Sequence, residues 1–158
     1  MFGKTQIGGV KSEGNLVLIS VLAMPSRPGT AGKLMTAMGA HNLNVEFIAQ
    51  MIGIAGNDNV VFCVKEDLAD EAMQVVEAMQ NDLQAQGISR RDGVGLVFTF
   101  GPEFRHMPGV AGQIFQLLGD AGINIRAIST SMAAVTCVID SDRVTEAEQV
   151  LGAVFATP

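Results

Sequence analysis

The sequence predicts an α+β protein built from two copies of one strand–helix–strand–strand–helix unit. Three observations lead there. A phrase recurs: "RPGTAGKLMTAMGAHNLNV" (Arg27 to Val45) and "MPGVAGQIFQLLGDAGINI" (Met107 to Ile125) each run from Pro-Gly through an apolar-periodic stretch to an Asn before a β-branched residue. The recurrence keeps one offset. Leu16-Val17 and Leu96-Val97, Pro28-Gly29 and Pro108-Gly109, Ala31-Gly32 and Ala111-Gly112, Gly39 and Gly119, Asn44 and Asn124, and Ile48 and Ile128 all stand 80 positions apart. A fixed spacing of this kind marks an internal repeat. Finally, 158 residues with 48% apolar and 16% charged content can bury a core as one ordinary domain or two small ones.

Each element follows from its own pattern. "LVLISVLA" (Leu16 to Ala23) is a strand by its β-branched content. "MPSRPG" (Met24 to Gly29) is a turn-rich loop, and a helix runs from Thr30 to His41 with Ala31, Leu34, Met35 and Met38 on one face. Asn42 to Met51 is the next strand and Asn59 to Lys65 a third, joined by the polar, Gly-rich "GIAGNDN" (Gly53 to Asn59). A second helix begins at Asp67, turns Leu68, Ala72, Val75, Met79 and Leu83 inward, and is stopped by Gly87. The second copy reads as a strand over Gly95–Gly101, a helix over Val110–Ala121, strands over Asn124–Met132 and Ala134–Asp140, and a helix over Arg143–Val154. Cys63 matches Cys137 at an offset of 74, which places the extra residues of the first copy in the Gly53–Asn59 loop.

The β-α-β-β-α order is one strand short of the ferredoxin-like β-α-β-β-α-β pattern. In the first copy "QGISRRDG" (Gln86 to Gly93) supplies the missing strand. The second copy ends in "FATP" with no room for one, while "TQIGGVK" (Thr5 to Lys11) is a spare apolar piece at the other end. The expected domains are therefore residues 14–92 and residues 93–158, the latter completed by the N-terminal strand 5–11.

Several function classes are disfavoured. A net charge of −6, no long basic run and no Trp or Tyr argue against nucleic acid, which is held by Lys, Arg and stacking aromatics. The longest apolar stretches, such as Asn15 to Met24, are too short to span a bilayer, so no membrane contact is expected. No leader pattern opens the sequence, and two Cys fit a reducing compartment, which gives a cytoplasmic reading. There is no CxxC or Cys/His cluster for a structural metal, and no cofactor is expected. "GKT" (Gly3 to Thr5) lacks the first Gly of a phosphate-binding loop. His41 and His106 are too few and too separate for a nucleophilic triad, so the chain reads as non-catalytic. Nine Met, among them Met35, Met38, Met73 and Met79, suit core filling.

The repeated "PGTAG" and "PGVAG" carry the chemistry. Pro suits the mouth of a helix, Gly permits the tight entry, and small residues follow in the first turn. Such a mouth bares backbone N–H groups at the positive end of the helix dipole, a seat for a carboxylate. Asn44 and Asn124 add a donor and an acceptor at the start of each following strand. Plain helix capping and turn formation explain the same residues without a ligand.

These phrases resemble tandem ACT domains, most closely the regulatory region, or small subunit, of aspartokinase. "PGVAGQIFQLLGDAGINIRAISTS" (Pro108 to Ser131) is similar to the second ACT domain of that family and "RPGTAGKLMTAMGAHNLNVEFIAQ" (Arg27 to Gln50) to the first. The resemblance implies ferredoxin-like units with side-by-side antiparallel sheets, an amino acid effector at an ACT–ACT interface, a homodimer and a kinase subunit as partner. It implies a ligand site at Ser26, Arg27, Gly29, Thr30 and Ala31, with Asn44, Glu46 and Gln50 on the next strand. In the second copy it implies Met107, Gly109, Val110 and Ala111, with Asn124, Ile125, Ser129 and Thr130. Ser26 replaces an Asp, Met51 an Asn and Met132 a Glu common in the family, which weakens the case for lysine; Glu46 remains, and the effector stays an amino acid, with lysine and threonine both open. Glu103, Arg105 and His106 add charge to the second loop. The alternatives are a ligand-free dimerisation scaffold and a small ferredoxin-like enzyme.

Overall fold

The structure, a computed structural model, describes residues 7–101 and 104–155. The chain divides into two compact units. The first is Leu16–Asp92; the second joins the described residues from Gly93 onward to those up to Asn15. The elements are β1 (Gly9–Met24), α1 (Thr30–Ala40), β2 (Phe47–Ile52), β3 (Asp58–Lys65), α2 (Ala69–Leu83), β4 (Gly87–Phe100), α3 (Val110–Asp120), β5 (Ala127–Thr130), β6 (Ala134–Asp140) and α4 (Val144–Val154). Single 3-10 turns at Glu66–Leu68 and Ser141–Arg143 lead into α2 and α4.

In the first unit the strands lie in the order β2-β3-β1-β4. The ladders are antiparallel, with Ile48 opposite Phe62 and Phe62 opposite Ile19. Strand alternation sends Val17, Ile19 and Val21 of β1 and Val60, Phe62 and Val64 of β3 to the helix side. There they pack with Leu34 and Met38 of α1 and Ala72 and Val76 of α2. Met35, Met73 and Met79 border the same cluster. The sheet closes where Gln86 N donates to Leu22 O at 3.0 Å.

In the second unit the order is β1-β4-β6-β5. Val97, Val135, Cys137 and Ile139 meet Ile114 and Leu118 of α3 and Ala147 and Leu151 of α4. The N-terminal part of β1 belongs to this unit: Gly8 N donates to Phe100 O at 2.7 Å, and Ile7 is buried in the core cluster.

The structure departs from expectation in four places. The strands expected at Thr5–Lys11 and Leu16–Ala23 are one strand, Gly9–Met24, and residues 5 and 6 lie outside the described residues. Asn15 joins the two halves at φ 57°, a left-handed conformation that Asn tolerates, with its N–H donated to Ser141 Oγ at 2.9 Å. The strands expected from Asn42 and Asn124 begin later, at Phe47 and Ala127, because the preceding residues finish the helices. Asn42 (φ 55°) and Gly122 (φ 69°) turn left-handed, Leu43 N donates to Met38 O and Ile123 N to Leu118 O, both at 2.9 Å, and Leu43 and Ile123 are buried. Helix α2 ends at Gln84 (φ 51°), where Ala85 N reaches Gln80 O at 3.1 Å; Gly87 instead opens β4.

The last departure concerns the cysteines. Cys137 lies among the helix-side residues, whereas the helix-side residues of β3 are Val60, Phe62 and Val64. Cys63, between Phe62 and Val64, faces the other way, so the two cysteines are not equivalent. Ile48 stands opposite Phe62 and Ile128 opposite Cys137, an offset of 75 between β3 and β6. An offset of 74 would have reversed every side chain of one strand.

Candidate functional site

Both helix mouths are built alike. Gly29 (φ 90°, ψ −3°) and Gly109 (φ 91°, ψ −8°) sit left-handed at the N-caps of α1 and α3, and neither helix has a side-chain cap. A Cβ at either glycine would meet nothing within 4 Å, so the residue answers to backbone conformation and not to space. Lys33 N donates to Gly29 O and Gln113 N to Gly109 O, both at 2.9 Å, which begins each helical ladder. Thr30 N and Val110 N make long bonds to Arg27 O (3.5 Å) and Met107 O (3.4 Å). The next two amides, of Ala31 and Gly32 and of Ala111 and Gly112, have no acceptor among the described residues. These are the orphan donors of a helix start, with the positive end of the dipole behind them.

In the second unit the mouth opens on a cleft of about 220 Å³. Five residues expected to bind ligand line it: Met107, Gly109, Val110, Ala111 and Thr130. Phe104, Ser131 and Val135 complete the wall. The sequence alone does not single out these three; Val135 takes its place through the ladder, opposite Thr130. Ser129 pairs with Thr136 and, by alternation, points to the other face. Asn124 is exposed and outside the cleft, and Ile125 packs against the core cluster. Arg126 is committed to Asp140 through bonds of 3.2 and 2.9 Å, and that partner raises the guanidinium pKa. Exposed Met132 offers no charge at the end of this strand. Glu103 lies outside the described residues.

The first unit differs. Arg27 donates its guanidinium to Gln84 Oε1 and, with Thr30, lines a slot of about 50 Å³ that includes Lys33 and Asp82. That volume suits a water or two, at ~30 Å³ each. Thr30 Oγ1 bonds back to Arg27 O at 3.1 Å. Asn44 Nδ2 donates to Glu46 Oε1 at 2.9 Å, so these two residues satisfy each other. Ser26 and Gln50 are exposed, the latter on β2 opposite Val60. Ser26, Gly29, Ala31, Asn44, Glu46 and Gln50 do not line the slot.

A larger open hollow of about 560 Å³ lies along His41, Asp67, Asp70 and Glu71. It shares no residue with either helix mouth. His41 Nδ1 is 3.4 Å from Glu71 Oε1, and no metal-binding cluster exists among the described residues. Both cysteine thiols are pushed up to about 12 by burial, which leaves them protonated and unreactive.

Comparison with known proteins decides the family. The ACT domain family model matches residues 19–80 and 97–155, one match in each unit. The chain belongs to the ACT domain family. Its two ACT units have the ferredoxin-like α+β fold, with four helices in all among the described residues. The chain is 29% identical over 149 residues to an aspartokinase of Bacillus sp. (strain MGA3), covering 94% of this chain and 36% of that protein. It is 29% identical over 140 residues to an aspartokinase of Thermus thermophilus, covering 86% and 34%. It thus spans about a third of the length of the curated relatives it matches. Among solved structures, a chain of the aspartokinase alpha and beta subunits superposes with a TM-score of 0.83 at 30% identity, covering 94% of this ACT pair and 97% of that chain. The ligand-free regulatory subunit of aspartate kinase from Thermus thermophilus has the same fold, with a TM-score of 0.84 at 24% identity and coverage of 96% and 100%. No described helix of the ACT pair is long and apolar enough to cross a membrane.

Proposed function

We propose that this ACT pair is a non-catalytic, aspartokinase-type regulatory module that binds a small amino acid and controls a kinase subunit or its own assembly. The observation that carries this reading is the second unit's cleft. The free amide of Ala111 stands at its edge, with the hydroxyl-bearing Thr130, the last residue of β5, and Ser131, just beyond that strand, across from it. At about 220 Å³ the cleft is smaller than the ~300–1,000 Å³ of drug-sized sites and suits a compact metabolite. Donors on one side and hydroxyl groups on the other fit a carboxylate at the helix mouth and a polar group beyond it. A threonine-sized ligand suits this lining better than lysine, because none of the described residues of the cleft wall carries an acidic side chain.

Binding regulates only by preferring one state of the assembly over another. A thermal-shift screen with the twenty amino acids tests the reading, since a ligand specific to the folded state raises the melting temperature by mass action. The expected result is a shift with one or a few amino acids that is lost in Gly109→Val. Copurification with an aspartokinase catalytic chain tests the partner. The competing reading, a ligand-free dimerisation scaffold, draws on exposed Met51 and Ile52 of β2 and Met132 beside β5. Its signature is a stable dimer with no response to any amino acid at millimolar concentration.

A further inference from the structure

Thr99 of β4 is 1% exposed, and its Oγ1 is the one buried side-chain polar atom left without a hydrogen-bond partner among the described residues. Val97, two residues earlier, packs in the helix-side cluster, so strand alternation sends Thr99 to the same face. A hydroxyl that has given up water and gained no partner costs stability, and such a group calls for an explanation.

The first unit shows that the fold does not need it. Across the ladders Thr130 of β5, Val135 of β6 and Thr99 of β4 stand in one row. The matching row of the first unit is Gln50, Val60 and Val21. Val21 is buried and has nearly the shape of Thr without the hydroxyl. A valine therefore fills this core position in one unit, while the other keeps a polar group there.

The place of Thr99 says what the hydroxyl is for. The other two members of its row, Thr130 and Val135, line the second unit's cleft. Opposite residues share a face with Cβ atoms ~4.5–5.5 Å apart, so Thr99 stands directly behind the cleft wall at Val135. Two residues along β4 is Gly101, where a Cβ would come within 2.9 Å of the Phe104 ring, another part of the wall. Thr99 is thus bordered by the cleft lining across the ladder and along the strand. The same cleft carries the amide of Ala111, which has no acceptor among the described residues.

We propose that Thr99 is the specificity group of this cleft: its hydroxyl hydrogen-bonds the side-chain hydroxyl of a small amino acid whose carboxylate sits on the amides at the mouth of α3. The inference rests on the amino acid reading above and names the feature of the ligand that is read. The ligand's side chain reaches Thr99 by taking up the cleft floor between Val135 and Phe104. A hydroxyl there relieves the unpaired group, whereas a methyl in its place leaves it unpaired.

The test titrates the full chain calorimetrically with two pairs, threonine with valine and serine with alanine. The hydroxyl-bearing member of at least one pair is expected to bind at least tenfold more tightly. In Thr99→Val that ratio falls to near one, and the ligand-free variant melts higher, since an unpaired hydroxyl has given way to the shape that fills the first unit. Thr99→Ser keeps a hydroxyl and is expected to keep the preference. A Thr99→Val protein that melts lower, or that keeps the wild-type ratio, shows that the hydroxyl serves the core and overturns the proposal. Thr99→Ala repeats the ratio with a smaller side chain; if neither variant folds, Thr99 is structural and the proposal falls. A wild-type chain that binds only amino acids without a side-chain hydroxyl removes this inference alone. If no amino acid binds at millimolar concentration, the regulatory reading fails and this inference with it.

Discussion

Cys137 stands directly opposite Ile128 on the β5–β6 ladder, and that pairing turns its thiol into the second unit's helix-side core. Cys63 stands between Leu18 and Phe47 on the other face of its sheet, equally hidden from solvent. Burial raises both thiols from 9.0 to about 12. Neither should react with a disulfide reagent at pH 8 until the protein is unfolded, when two thiols should appear. The sign of the pH effect follows. Unfolded thiols lose protons near 9.0 while folded ones keep them to about 12, so stability fully present below 9 is lost as pH rises toward 12. Denaturant titrations across that range should show a steeper loss in the wild type than in a Cys63→Val, Cys137→Val double variant.

The N-terminal segment should behave as core. Ile7 is 3% exposed within the second unit's cluster, and Gly8 continues that unit's hydrogen bonding. Ile7→Ala should cost about 2–5 kcal/mol, the range for removing a buried aliphatic side chain. Deleting residues 1–12 exposes one side of β4. Hydrogen exchange in β4 and β6 should then accelerate more than exchange in β2 and β3. Uniform protection of both units after the deletion would contradict this role.

The repeat and most elements were legible because they rest on periodicity. Residues 31–40 and 111–120 bury the same positions in the same order, which is the apolar stripe read directly in space. The site was legible only in part. Gly109, Val110 and Ala111 could be placed because a helix mouth is a local structure. Ile125 could not, since an apolar residue gives no sign of whether it faces a ligand or the core. Arg27 was equally opaque: only the fold brings Gln84, 57 positions away in the chain, to its guanidinium. In the sequence Asp58 belongs to the polar stretch Gly53–Asn59, because hydropathy alone cannot show a strand beginning on a charged residue.

Arg27 supplies a further prediction. Its guanidinium is engaged with Gln84 beside the C-terminus of α2, where a cation also favours the helix dipole. Arg27→Ala should therefore cost a few tenths to about 1 kcal/mol, as for exposed polar pairs. It should leave any amino acid affinity within about threefold of wild type, a change of under ~1 kcal/mol by the relation between affinity and free energy. An affinity loss of a hundredfold, measured calorimetrically, would return Arg27 to the carboxylate seat.

Two glycines three residues apart should respond to alanine with opposite signs. Gly109 has φ 91°, and a Cβ there meets nothing within 4 Å, so Gly109→Ala suffers only from backbone strain, about 1–2 kcal/mol. Gly112 lies inside the first turn of α3 with equally open space, so Gly112→Ala should stabilise by about 0.5–1 kcal/mol through helix propensity. Chemical denaturation separates the two. Ligand response adds a second axis, because the Gly112 amide is one of the two left bare at the mouth. Should Gly112→Ala melt higher yet respond less to the amino acid that shifts the wild type, the glycine is kept for access to that amide. A variant that is both more stable and fully responsive would place the carboxylate on the Ala111 side of the mouth.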